Sequence, residues 1–288
     1  MSAPTTATPT PIPTSTGLGP LLRWWRGERR MSQLDLASEA MTTPRYVSFV
    51  ETGRAQPSRQ MVVRLARALD VPLRERNGLL LAAGYAPLYS RGGLDTPELA
   101  RVETALRSLL AQHEPFPAVV MDRRWDIVRA NDGAQRLFGA LFSPAPLPDE
   151  GNNVLRLFIE PGPVRDHVAN WPEVVPALLE RARREAVGGV LDAETAALVD
   201  RLRARQDVAA LLVAPEAAAP MAPVVDVRFV VEGTELSFFS VISTLGTPTD
   251  VTAQELRVEA FFPSDDATRD AWTAWTVTMR TTLTTRRS

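Results

Sequence analysis

The sequence predicts a multidomain chain, all-α in its first third and α+β beyond it. Three observations carry this. Between residues 18 and 84, apolar residues recur at helical spacing in five short pieces, each closed by a cap, a glycine or a proline. Beyond 115, β-rich runs come early and late with helical stretches between them, the order expected of helices gathered on an antiparallel sheet. Residues 2 to 16 are almost all Pro, Thr, Ala and Ser, too poor in apolar side chains to offset their ordering entropy, so that tail is expected to be disordered. The expected divisions are 1–16 tail, 17–86 helical domain, 87–114 linker and connecting helix, and 115–288 α+β domain.

The elements follow in order. Leu18, Leu21, Leu22 and Trp25 stand at i, i+3, i+4 and i+7 and form an apolar stripe. Ser32 is a natural N-cap, and Asp35 places a carboxylate where a helix start welcomes it. Thr43 caps the next helix, with Pro44 at its first position, where a missing N–H costs nothing. Val47 and Val50 face inward and Gly53 stops the helix. Ser58 caps a fourth helix that sets Val62, Leu65, Ala66 and Leu69 on one face. Pro72 breaks the chain, and a fifth helix runs to Gly84. Pro87, Gly92, Gly93 and Pro97 mark a linker, followed by a helix over about 97–112. AVVMD and WDIVRAN read as two strands joined by a tight turn, and NDGAQRLFG as a short helix. Residues 152–160 and 172–206 read as helical, the second broken near Gly188 and Gly189. Val224–Val231 and Leu236–Leu245, joined by EGTE, read as a hairpin. Gln254–Phe262 reads as a strand, and a closing helix starts near Ser264.

Composition excludes several chemistries. There is no cysteine, so disulfides, thiolate catalysis and thiolate metal sites are out. Only His113 and His167 could serve as imidazole ligands, so no metal site is expected. No apolar run is long enough to cross a membrane, and the N-terminus lacks the charge pattern of a signal peptide, so a cytoplasmic protein is expected. No phosphate-binding, nucleophile-elbow, zinc-protease or dinucleotide fingerprint is present. The acid pairs Asp149–Glu150 and Asp265–Asp266 are consecutive and read as loop or helix-start charges. No enzyme is expected.

Charge is uneven. The net charge is −2, yet residues 18–84 hold 11 Arg against 6 acids, and the rest holds 21 Arg against 28 acids. A basic segment on an acidic body suits one part that meets a polyanion, although charge alone equally fits a solvated face. Two helices separated by a short turn inside such a unit make a helix-turn-helix. Ala37 is small where the two helices must cross, and Val47 and Val50 lock the second against the first. MSQLDLASEAMTTPRYVSFVETGRAQPSRQMVVRLARALDVP resembles the lambda-repressor-like regulators of the Xre family in its SQ opening, ETGR close and PS before the fourth helix. One departure is Met41, where the turn of that family usually has glycine.

The resemblance implies double-stranded DNA as partner. Thr43, Pro44, Arg45 and Ser48 then lie on the leading face of the helix that enters the major groove. Arg45 has two readings, a guanine contact or a phosphate contact. Gln33 matches the family's backbone-contacting glutamine, and Arg54, Ser58 and Arg59 lie where the chain would pass phosphates. One unit makes few contacts, so a homodimer on a palindromic operator is expected.

HEPFPAVVMDRRWDIVRANDGAQRLFG looks like the start of a PAS-type sensor, and NWPEVVPALLERARREA and ELSFFSVISTLGTPTDVTAQELRVEAFFPSD make the likeness more specific. Together with the first domain they resemble the MmyB-like regulators. That resemblance implies a small apolar ligand, a long-chain fatty acid, as effector rather than a resident cofactor. Candidate lining residues are Phe138, Phe142, Leu155, Phe158, Trp171, Phe239 and Phe261. Candidate carboxylate anchors are Arg156, His167, Arg228 and Arg257, with no choice among them. The rival reading is a DNA-binding regulator whose second domain only dimerises or docks a protein. The helix over 97–112 is the expected transmitter between domains.

Overall fold

The computed structural model describes residues 17–142, 152–185, 193–213 and 224–285, with side chains to 276. The expected tail, the Asp149–Glu150 pair and the break at Gly188–Gly189 lie outside them. The described residues fall into two compact units.

The first unit holds α1 (Leu18–Glu28), α2 (Gln33–Glu39), α3 (Pro44–Glu51), α4 (Arg59–Ala68) and α5 (Leu73–Ala82). Their starts are built as the sequence demands. Ser32 Oγ accepts from the Asp35 N–H, and Asp35 returns a bond to the Ser32 N–H, a complete capping box. Thr43 and Ser58 cap α3 and α4 through their own hydroxyl oxygens. The ends share one motif. Arg30, Met41, Gly53, Asp70 and Gly84 each have positive φ. In each case that residue's N–H reaches back three positions and the next N–H five, as in Met41 to Ser38 and Thr42 to Ala37. The stripe Leu18, Leu21, Leu22 and Trp25 is buried against Leu36, Ala37, Val47, Val50, Val62 and Leu65. Gly19 permits the tightest approach: a Cβ there would sit 2.5 Å from the Glu51 carbonyl oxygen. The unit reaches Gly93 and also takes in Thr247–Gln254, far away in sequence.

The second unit is α+β. A 3₁₀ turn (Pro97–Leu99) leads into α6 (Ala100–Gln112). There follow β1 (Ala118–Met121), β2 (Ile127–Ala130), α7 (Asp132–Leu141), α8 (Val154–Ile159), α9 (Pro163–Asp166) and α10 (Trp171–Arg184). Next come α11 (Ala193–Arg203), α12 (Gln206–Val213), β3 (Val227–Val231), β4 (Thr234–Thr244), α13 (Val251–Glu255), β5 (Arg257–Pro263) and α14 (Asp266–Thr285). The sheet is antiparallel in the order β2-β1-β5-β4-β3. The β3–β4 hairpin turns on Glu232 and Gly233, both with positive φ, as a two-residue loop requires.

Directly opposed residues of an antiparallel pair share a face. Phe238, Ser240, Ile242, Arg257, Glu259, Phe261, Val119 and Met121 therefore line one face. The helices cover it: Ala134, Leu137 and Leu141 of α7 pack with Val119 and Met121 in one buried cluster, and Trp272 of α14 meets Phe238 edge-on. Phe239, Val241, Val258, Ala260 and Phe262 line the other face. There His113, at the end of α6, lies edge-on to Phe262. Helix α6 packs within this unit through Leu106 and Leu110. The strand expected from Gln254 begins at Arg257, because Val251–Glu255 wind as a short helix first.

Candidate nucleic-acid interface and ligand core

In the first unit, Thr43, Pro44 and Arg45 are exposed at the head of α3, with Ser48 half-buried one turn on. The Arg45 guanidinium carbon lies 5.2 Å from the centre of the Phe49 ring, a cation–π contact that orients this exposed arginine. Arg54, Ser58 and Arg59 are exposed between α3 and α4. Seven of the eight residues the sequence singled out for DNA thus stand on α3, at its N-cap, or on the chain leading into α4. Gln33, the first residue of α2, is half-buried, and its Nε2 donates to Glu51 Oε2 at 2.9 Å.

Glu51 is the fastening behind this surface, and sequence reasoning missed it. It is buried, and Arg26 grips it bidentately through Nε at 2.7 Å and Nη2 at 3.1 Å. Burial pushes the Glu51 carboxyl up, but the bonds from Arg26 and Gln33 and the nearby charges of Arg26 and Arg23 outweigh it and hold it below its ordinary value. Other arginines are structural too. Arg29 donates to the carbonyls of Leu69 and Asp70, Arg64 to that of Met41 and Arg76 to that of Val71, closing helix ends. The positive charge of the segment is therefore only partly available to a polyanion. Arg45, Arg54 and Arg59 stand exposed on α3 and the chain leading into α4, as does Arg67 in the last turn of α4.

In the second unit, Phe142, Leu155, Phe158 and Phe261 join one buried cluster, with Phe138 and Trp171 packed against it. Phe158 meets Phe229 edge-on, and Trp171 Nε1 donates to the Phe158 carbonyl at 2.8 Å. Phe239 stands apart on the opposite face, stacked on Phe262. The candidate anchors separate cleanly. Arg156 is exposed. Arg228 is 41% exposed and faces Glu173 and Glu235. His167 is half-buried and its Nδ1 is 2.6 Å from the Pro163 carbonyl oxygen. Arg257 is 6% exposed and sits on the helix-covered face.

Around Arg257 the structure adds groups that sequence reasoning did not name. Trp125 is fully buried, with φ 72°. The guanidiniums of Arg181 and Arg257 lie 4.8 and 5.6 Å from its ring centre. Arg181 also forks onto the buried Glu259 at 2.7 and 3.1 Å. The alternation in Arg257–Val258–Glu259–Ala260–Phe261 was the available signal, since period two puts both charges and one phenylalanine on one face. Among the described residues, no three His, Asp or Glu side chains gather as a metal site, and no helix is long and apolar enough to cross a membrane.

Residues 102–274 match the family model described as the MmyB-like transcription regulator ligand binding domain, and residues 22–76 match a helix-turn-helix model. Two curated relatives, both named multiprotein-bridging factor 1, are similar over a shorter stretch. That of Debaryomyces hansenii is 37% identical and that of Candida albicans 35% identical, each over 60 residues. The match covers 21% of this chain and 40% of each relative.

Proposed function

The chain belongs to the family of MmyB-like transcription regulators, joining a helix-turn-helix to that family's ligand-binding domain, and on this premise we propose that it is a DNA-binding regulator whose second domain senses a long-chain fatty acid. The observation that carries the effector's chemistry is Arg257: a permanent cation, 6% exposed, on the same inner face as Phe261. A carboxylate with an apolar tail needs that combination. The charged head takes a guanidinium in a site of low dielectric, and each buried CH₂ contributes about 0.8 kcal/mol. Phe138, Phe142, Leu155, Phe158, Trp171 and Phe261 are the proposed lining, and Arg257 the proposed anchor. Antiparallel pairing through five strands, with helices packed on one face, supports the PAS-type reading.

On the DNA side, Thr43, Pro44, Arg45 and Ser48 are the proposed groove contacts. Arg54, Ser58 and Arg59 are the proposed phosphate contacts, and Gln33, at the start of α2, a proposed backbone contact. The chain acts as a homodimer on a palindromic operator. Support for self-association comes from the outer sheet face, where Val241 is 45% and Phe262 36% exposed.

Native mass spectrometry of protein purified without added lipid tests the effector. An acyl mass retained by the wild type and lost in Arg257→Met is the expected result. A chain with no retained mass, and no thermal shift with C12 to C18 acids, overturns it and leaves the second domain to dimerisation.

A further inference from the structure

Residues 247–254 join β4 to β5, two central strands of the sheet, yet they pack as part of the DNA-binding unit. Their attachments are specific. Ser90 Oγ donates to Asp250 Oδ2 at 2.6 Å, and the Val251 N–H donates to the Ser90 carbonyl at 3.0 Å. Thr252 Oγ1 donates to the Gly92 carbonyl at 2.8 Å. Gln254 Oε1 accepts the N–H of Leu73, the first residue of α5, at 2.7 Å. That helix begins after Pro72, which offers no side-chain cap, so Gln254 supplies one from 181 positions away. Asp250, Val251 and Ala253 are buried, so this is a packed element and not a surface loop. Three residues beyond Gln254 stands Arg257, the first residue of β5.

We propose that this segment, with Gln254 as its contact, transmits the state of the sensor to the DNA-binding domain. A shift in the first residues of β5 is carried through Leu256 and Glu255 to the Gln254 amide, and its strength as a cap sets the order of the first turn of α5. A ligand biases an equilibrium only through different affinity for two arrangements, and here the two are α5 capped and uncapped. The role expected of the helix over 97–112 thereby passes to the β4–β5 connection. The identity of the effector rests on the function proposed above; the mechanical link does not.

Hydrogen exchange on the full-length protein separates the two. Peptides covering residues 70–80 and 255–265 are followed in wild type, Gln254→Ala, Gln254→Glu, Arg257→Met and the Gln254→Ala/Arg257→Met double variant, and in wild type and the two Gln254 variants also with and without myristate. Arg257→Met is expected to change exchange in both peptides, by about fivefold in the first turn of α5. With Gln254→Ala present, the response at α5 disappears and that at β5 stays. Gln254→Glu, whose carboxylate accepts the same N–H, keeps the α5 response to myristate. If Arg257→Met unfolds the sensor, Arg257→Lys takes its place. A response at α5 that survives Gln254→Ala, or one confined to β5 in wild type, overturns the proposal. If myristate moves neither peptide while the arginine variant moves both through Gln254, the fatty-acid reading fails and the transmission stands.

Discussion

At the scale of single residues, left-handed backbone is spent freely in the DNA-binding unit. All five helices end in the same motif, but only Gly53 and Gly84 meet it with glycine. Met41 meets it at φ 48° with its side chain 78% exposed, so little packing depends on that side chain. A left-handed residue with a Cβ costs about 1–2 kcal/mol, and glycine gives back about 0.5–1 kcal/mol in chain entropy. Met41→Gly is therefore expected to be neutral or stabilising by up to about 1 kcal/mol in a urea melt. A clear loss would contradict the backbone reading. Gly19 behaves oppositely: Gly19→Ala drives a methyl into the Glu51 carbonyl and is expected to cost about 1–3 kcal/mol. Glu51→Ala leaves Arg26 without its bidentate partner, with an expected loss of about 3 kcal/mol by the same melt.

At the scale of elements, local chemistry wrote what was legible and tertiary contact wrote the rest. Ser32, Thr43 and Ser58 each announce a helix start in sequence, and each hydroxyl does cap one. Glu232–Gly233 announces its hairpin in the same way. The residues proposed for the groove came from the resemblance, and the structure leaves Thr43, Pro44 and Arg45 exposed at the head of α3. The helix Val251–Glu255 was not: its last two residues fall inside the stretch read as a strand from Gln254, and five residues are too few to show a helical period. Gln254 as the cap of α5 had no sequence signal at all, since its partner is 181 residues away. The Gln33–Glu51–Arg26 fastening and the Arg181–Glu259 fork are likewise meetings of separate elements. Thr43→Ala tests the local part: it is expected to cost about 1 kcal/mol in chemical denaturation and to loosen the start of α3.

At the scale of the whole molecule, stability and function carry different pH and salt signatures. In the sensor, burial pushes the Asp207 carboxyl up, but bonds from Arg165 at 2.6 Å and Arg205 at 3.1 Å, with their charges, bring it down to about 2. A lowered carboxyl pKa stabilises fully above the unfolded value of 3.8 and loses that contribution as pH falls from there toward 2. Wild type and Asp207→Asn should thus differ in melting temperature at pH 6 and converge near pH 2, as followed by circular dichroism. The proposed DNA contacts include exposed arginines, so binding is expected to weaken steeply with salt. Arg54→Ala and Arg59→Ala are each expected to reduce the slope of log affinity against log salt by about one. On the function proposed above, a fatty acid held in the second unit changes what the first does on DNA. The most direct measurement is the affinity of the full-length protein for its selected operator, at fixed salt, across a C8 to C18 acid series. A change in affinity that grows with chain length and is lost in Arg257→Met is the expected result. An affinity unchanged by every acid in the series would contradict it.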